Sequence, residues 1–398
     1  MITRVVDRRV LRTTALCLVL AFAFASVRWL DNPWHWPLLD LSVYRRAAGE
    51  LLHGRSLYDS APHFPHPELP FTYPPFAAAL FVPAYLAGPV LSGICVSLLS
   101  LACYAFTTLT CGRRLGLAWS TLLPLAALGF ALEPVQRTFW LGQVNLLLAA
   151  MVVADCFLVP ARARGLLVGI AAGIKIIPGV YVIYFLLRRD WPAVMRAVVG
   201  FAATVGVSAI ASPHDARHFW TKLFWDPSHV GQQAYISNQS LFGQVVRFTR
   251  DLHPPAGVYA PIALAALALA IYAATRQLRQ GDEVAALTCV AFGGLLVSPI
   301  SWSHHWVWFV PALLVLIARG RIRAAAILAL APAFAPEWWT PSTQAPYTYI
   351  REFHHHWWQT WLCLSYAIAG VAFLVLMARP EPARAAPTAR PQAAEVPV

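Results

Sequence analysis

The chain has 398 residues, 59% of them hydrophobic and only 12% charged, with a formal net charge of +12. About a quarter of residues are charged in a soluble globular domain, so this composition excludes one and describes an all-α polytopic membrane protein. The Lys and Arg residues fall in short clusters between apolar runs, where they report topology, so the positive balance does not point to nucleic acid.

In chain order, Arg4, Arg8, Arg9 and Arg12 precede an apolar run over residues 13–30. Ala23-Phe24-Ala25 resembles a signal-peptidase site. The run is long enough to span, however, and reads as a retained signal anchor with a cytoplasmic N-terminus. A first long polar loop, 31–75, follows. Within it Leu41, Tyr44, Ala48 and Leu51 recur at helical spacing and predict an interfacial helix beginning near Asp40. The run 75–111 holds Pro83 and Pro89 and suits one span plus a partial one, or two short ones. Residues 117–132, a polar turn 133–145, and a span ending near Val159 come next. Residues 165–187 are apolar except for Lys175, and 191–210 leads into a second long loop, 212–256. Further spans lie near 257–275, 284–300, 306–318, 322–336 and 357–378, and the Pro/Ala-rich tail 380–398 reads as disordered and cytoplasmic. Residues 1–379 therefore form a single integral-membrane domain.

Charge and length permit two schemes. If every basic cluster lies inside, residues 165–187 form a re-entrant pair and about ten full spans remain. If every apolar run crosses, there are about twelve spans, and Arg113, Arg114, Arg162 and Arg164 lie outside. Both schemes keep the termini on the cytoplasmic side and put the two long loops, 301–305 and 337–358 on the outer side.

Polar residues at or within a membrane are costly and mark function by default. Asp40 either caps its helix or presents a carboxylate at the membrane surface. Lys175, in Gly173-Ile174-Lys175-Ile176-Ile177-Pro178, falls near mid-membrane beside a helix-breaking proline. It needs an anion: a phosphoryl group, or a structural partner such as Asp155 or Glu133. His304 and His305, between Trp302 and Trp306, suit hydrogen bonds to a phosphate better than metal, since the motif lacks a carboxylate. The amides of Gln143 and Asn145, and of Asn238 and Gln239, suit sugar hydroxyls, with helix capping near Ser237 and Asn238 as the alternative. The run Phe353-His354-His355-His356-Trp357-Trp358 reads as an interfacial belt. The seven cysteines include no C-x-x-C pair and read as small buried hydrophobes. Gly-x-Gly-x-x-Gly, P-loop and Gly-x-Ser-x-Gly patterns do not occur.

Asp40-Leu-Ser-Val-Tyr44, Gly54-Arg-Ser-Leu-Tyr58, Tyr73-Pro-Pro75, Gly142-Gln-Val-Asn145, Gly173-Ile-Lys175 with Pro178, Asn238-Gln-Ser240 and Ser298-Pro-Ile-Ser-Trp-Ser-His-His305 follow one another in this order. The set resembles glycosyltransferase family 87, polytopic GT-C-type enzymes of actinobacteria. The resemblance covers roughly residues 36–310 and implies a GT-C-type fold with outer-side interfacial helices. It also implies a polyprenyl-phosphate-mannose donor, a mannolipid or lipoglycan acceptor such as a phosphatidylinositol mannoside, and α-(1→2) linkages; from the residues themselves no metal site is read, and no cofactor is expected. Asp40 matches the family's catalytic aspartate. Lys175, His304 and His305 are then expected around the donor phosphate, with Tyr44, Tyr73, Gln143, Asn145, Asn238 and Gln239 around the sugars. Ser303 stands where the family pattern often has an acidic residue. A lipid-linked sugar flippase, or the same fold using arabinofuranose or glucose, are the competing readings. The one-sided clustering of polar motifs and the lack of an internal repeat tell against the flippase.

Overall fold

The computed structural model describes residues 7–29, 38–58, 69–343 and 349–380, and all structural statements concern these; the tail beyond them, expected to be disordered, lies outside the described residues. Among them the chain is helical, with no named strand and one isolated bridge, between Asn238 and Trp302. Three helices are long and apolar enough to cross a membrane: Gly88–Arg114, Trp191–Ala211 and Ala256–Arg279. The other apolar helices are shorter or broken, and proline is a main reason. Pro124 and Pro332 lie inside Trp119–Gly129 and Ile322–Phe334. The stretch 75–111 resolves into Pro75–Leu80, Val82–Leu86 and Gly88–Arg114. The first apolar run is the helix Arg8–Trp29, which packs on Trp119–Gly129.

Ion pairs gather the basic ends. Arg114 Nη1 lies 2.9 Å from Glu283, which also pairs with Arg188. Arg164 meets Asp190 at 3.2 Å, Arg319 meets Asp282 at 2.6 Å, and Arg276 donates to the carbonyl of Arg379 at 3.3 Å. The segment 165–187 thus begins and ends at one end of the bundle. It runs inward as Leu166–Ile174, breaks at Lys175 (φ −149°, ψ 130°), and returns as a 3-10 turn, Ile177–Tyr181, and the short helix Val182–Leu187. This is the re-entrant scheme. The alternative, with Arg113, Arg114, Arg162 and Arg164 on the far side, does not match these pairs.

The re-entrant helix is fixed by close backbone approach. A Cβ on Gly169 would meet the carbonyl oxygen of Ala197 at 2.1 Å, and one on Gly173 would meet Thr204 Oγ1 at 2.0 Å. Glycine at this spacing lets Leu166–Ile174 lie against Trp191–Ala211, as small residues do in membrane helix pairs. Asp155 accepts from the N–H groups of Gly165 (2.7 Å) and Val168 (2.8 Å), filling orphan donors at the start of the helix. Glu133 accepts from Ser303 Oγ (2.8 Å), Trp338 Nε1 (3.1 Å) and Tyr366 OH (2.7 Å). The two carboxylates considered as structural partners for Lys175 therefore have other work, and Ser303, in its departure from the family pattern, meets the carboxylate of Glu133. The aromatic core beside this network packs Trp306, Phe292, Phe309, Tyr366 and Phe373, with ring centroids between 5.2 and 5.9 Å.

Candidate active site

Helices rising from the charged end, such as Glu283–Val297, terminate at a cavity of about 910 Å³. Its wall includes Asp40, Tyr44, Tyr73, Arg137, Gln143, Lys175, Trp302, His304 and His305. The helix Leu39–Leu52 brings Asp40 there by burying Leu41, Val43, Tyr44, Ala47, Ala48 and Gly49, the face expected from the apolar spacing. Asp40 is the second helical residue and does not cap; the cap position is Leu38, in the left-handed region at φ 64°. Leu38 is held in that conformation by its N–H bond to the carbonyl of Trp140, at 2.7 Å. A bulky residue in this region costs about 1–3 kcal/mol, strain of the kind that collects at functional sites.

Gly142 makes the junction possible. It has φ 66°, and a Cβ there would lie 2.8 Å from Leu41 Cβ and 3.2 Å from Leu38 Cδ2. Its neighbour Gln143 is thereby set against the helix. Gln143 Nε2 donates to Asp40 Oδ2 at 2.5 Å and to Tyr73 OH at 2.9 Å, while Tyr73 and Tyr44 share a hydroxyl hydrogen bond of 2.9 Å. Burial at the wall raises the Asp40 carboxyl above the usual aspartate range. The Gln143 bond and the charges of Lys175 and Arg137 oppose that rise. Gly142→Ala is expected to lose about 1–2 kcal/mol from the left-handed backbone alone. The displaced Asp40–Gln143 pair should lower kcat by more than that stability loss explains. Thermal unfolding and turnover measured on the same preparation check this; unchanged turnover would show the junction is not needed.

The broken helix presents Lys175 to the same cavity. Its Nζ donates to Asn145 Oδ1 at 3.0 Å, meets His305 Nε2 at 2.8 Å, and lies 5.2 Å from the centre of the Tyr73 ring. Asn145 Nδ2 donates to the carbonyl of His304 at 2.8 Å, and Thr138 Oγ1 donates to the same oxygen at 3.2 Å. Asn145 thus ties the cation to the imidazole pair without itself lining the cavity. Both ring nitrogens of His304, and Nδ1 of His305, have no hydrogen-bond partner among the described residues although the rings are buried. A cation, imidazole nitrogens without a protein partner, and a carboxylate around one cavity can hold an anionic group and take up a proton. Among the described residues no three His, Cys, Asp or Glu side chains gather as a metal site.

Besides Asn145, two more of the expected sugar contacts lie off the cavity wall. Asn238 and Gln239 are fully buried and absent from the cavity wall. Asn238 Nδ2 donates to the carbonyls of Gln233 (3.0 Å) and Pro299 (3.1 Å), and its Oδ1 accepts from Ser301 N (2.9 Å). Gln239 Nε2 donates to the carbonyl of Ile236 at 2.7 Å, and its N–H to that of Ser301 at 2.8 Å. Irregular backbone buried here needs partners, and these amides supply them. The result clasps the second long loop to the histidine motif. Ser240, next in the chain, is the cap of Leu241–Thr249. Arg137 and Trp302, not singled out by sequence as site residues, stand on the wall. Arg137 sits four residues after Glu133, and that pairing is the signal that marks it.

Comparison with known proteins gives a consistent set. Residues 71–299 match the family model described as Glycosyltransferase family 87. The chain is 35% identical over 376 residues, 87% of its own length and 87% of the other, to a Mycobacterium tuberculosis (strain ATCC 25618 / H37Rv) protein named polyprenol-phosphate-mannose-dependent alpha-(1-2)-phosphatidylinositol mannoside mannosyltransferase. It is 35% identical over 358 residues, 84% of each chain, to a Mycolicibacterium smegmatis protein named polyprenol-phosphate-mannose-dependent alpha-(1-2)-phosphatidylinositol pentamannoside mannosyltransferase. No solved structure matches.

Proposed function

The chain belongs to glycosyltransferase family 87, and on that premise we propose that it transfers mannose from a polyprenyl-phosphate-mannose donor to a phosphatidylinositol mannoside acceptor, forming an α-(1→2) linkage. The observation that carries this reading is the gathering of a carboxylate, Asp40, and a cation, Lys175, with His305 in contact with it and His304 nearby, around a single cavity. A β-mannosyl phosphate giving an α-mannoside is one inversion. The acceptor hydroxyl oxygen attacks the anomeric carbon and its proton passes to Asp40. The bond from that carbon to the phosphate oxygen breaks, and its electron pair stays on the phosphate. A single base suffices, since a second carboxylate nucleophile belongs to double displacement. The leaving group is a phosphate, so cationic and hydrogen-bonding groups replace a general acid. The chemistry as written calls for no cofactor. Gln143 and Tyr73 hold Asp40 in place, and the apolar part of the wall, including Leu39, Val43, Ile176 and Ile177, accommodates the start of the polyprenyl chain. A longer mannolipid or lipoglycan is a further acceptor of the same chemistry.

The cavity lies away from the end where the basic residues pair. With basic ends cytoplasmic, the reaction takes place at the outer face of the plasma membrane and both termini are inside. Purified protein with radiolabelled polyprenyl-phosphate-mannose and a panel of phosphatidylinositol mannosides should yield a lengthened lipid whose label is released by α-(1→2)-mannosidase. In sealed, right-side-out vesicles a short-chain, water-soluble donor should react from outside. No transfer to any acceptor, with turnover of a glucosyl or arabinofuranosyl donor instead, would replace mannose in this reading. Lipid translocation without transfer would replace the enzyme by a flippase.

A further inference from the structure

Lys175 cannot serve the donor phosphate alone. An ammonium has three N–H donors, and two of them are engaged by Asn145 Oδ1 and His305 Nε2. One donor remains for the phosphate. The demand also grows during the reaction. The donor is a phosphodiester with one negative charge, while the departing polyprenyl monophosphate acquires a second as the anomeric carbon–oxygen bond breaks and its electron pair moves to the phosphate oxygen. A site built for the reaction should therefore offer a further cation that acts mainly on the developing charge.

Arg137 stands where such a cation is needed. It lines the same cavity and is 8% exposed. Its helix, Glu133–Leu141, is joined to the phosphate side by the bond from Thr138 Oγ1 to the His304 carbonyl, and to the Asp40 side by the Trp140 carbonyl that receives Leu38 N–H. Two contacts that orient the guanidinium are with Trp338 and Glu133. Its Cζ lies 4.0 Å from the centre of the Trp338 ring, and its Nε lies 3.9 Å from Glu133 Oε1. Stacking on an aromatic face is a geometry suited to arginine, because it engages the face of the guanidinium while the N–H donors lie in its plane. The Glu133 carboxylate is shared with Ser303, Trp338 and Tyr366, so its charge is not spent on Arg137 alone. Asp40, Arg137 and Lys175 all line this one cavity.

Resting on the phosphate reading of the site, we propose that Arg137 is a second phosphate-binding residue, whose contact strengthens as the leaving phosphate gains its second charge. The test uses two competitive probes of equal chain length, a polyprenyl monophosphate and its methyl phosphodiester. Wild type should bind the monophosphate more tightly than the diester. Arg137→Gln should lower kcat about 100-fold, the scale of one lost charge-stabilising donor. Its KM for the donor should change only a few-fold, and its preference for the monophosphate should be lost. Arg137→Lys keeps charge but not the fork, and should recover part of kcat and part of that preference.

A merely structural partner of Glu133 and Trp338 would weaken both probes equally or lower stability with kcat intact, and either result overturns the proposal. Should Arg137→Gln fail to fold, Arg137→Lys decides: an undiminished monophosphate preference and a normal kcat overturn it. A wild type that does not favour the monophosphate would instead overturn the phosphate site on which the proposal rests. A wild type that favours it while Arg137→Gln does so equally removes Arg137 alone.

Discussion

Asp40→Asn should lower the rate of transfer by about 10²–10⁴-fold, the contribution expected of a general base. The substitution keeps the size of the side chain and its place as second residue of Leu39–Leu52, where it makes no capping bond. The contact with Gln143 should persist, because the carboxamide oxygen of the new side chain can still accept from Gln143 Nε2, as Asp40 Oδ2 does now. What is lost is proton affinity. Donor binding should survive, since the removed charge faces the phosphate's own. The pH dependence carries a second expectation. Burial raises the Asp40 carboxyl above its usual value, and the base must be ionised to act, so the rate should fall as pH drops through a value above the ordinary aspartate range. The same shift has the opposite sign for stability. A carboxyl whose folded-state pKa is raised is easier to accommodate protonated, so its contribution to stability declines as pH rises from the unfolded pKa through the raised one. Above that window Asp40→Asn should therefore be at least as stable as wild type while nearly inactive. Turnover, donor binding and thermal unfolding of the purified variant test this together; a variant retaining more than about half the wild-type rate would remove Asp40 from the mechanism.

How far the site was legible differs from residue to residue. Lys175 stood out because an ammonium in an apolar run beside Pro178 has few explanations, and the structure puts it at the turn of a broken helix. The helix carrying Asp40 followed from the spacing of Leu41, Tyr44 and Ala48. The bond that joins Asp40 to Gln143, across 103 residues of chain, has no local periodicity to announce it. It depends on the positive φ of Gly142 and the close approach of Leu41, which are properties of the assembled packing. Arg137 lay within a stretch that reads as a polar turn, and its value emerges only when Trp338, from a distant part of the chain, stacks on it beside Glu133. Asn238 and Gln239 illustrate the opposite case. Amides beside aromatics suit sugars, but they also satisfy buried backbone, and here the carbonyls of Gln233, Ile236 and Pro299 claim them. The choice between a re-entrant pair and a full span at 165–187 turned on a contact, Arg164 with Asp190, that charge counting alone does not supply.

Lys175→Met should lower kcat/KM by about 10²–10³-fold, as expected when a preorganised donor to a developing oxyanion is removed. It should do so with little change in stability. Methionine approaches the length of lysine, and removing a buried ammonium, which is costly to take out of water, offsets part of what its two lost hydrogen bonds contributed. Of the partners left behind, Asn145 keeps its Nδ2 bond to the His304 carbonyl while its buried Oδ1 loses the Lys175 donor, and His305 lies on the cavity wall. An inactive variant that melts no lower than wild type would identify Lys175 as a residue retained for catalysis at the expense of stability. The acid limb of the rate profile separates charge from shape. Lys175 holds the Asp40 carboxyl down, so deleting its charge should move the limb of the residual activity to higher pH. Lys175→Arg keeps the charge and alters the geometry; its limb should stay near that of wild type even though the rate falls. If Lys175→Met turned over normally, or if its acid limb did not move, the cation would not be acting on the reacting groups, and the placement of the donor phosphate between Lys175, His304 and His305 would have to be abandoned.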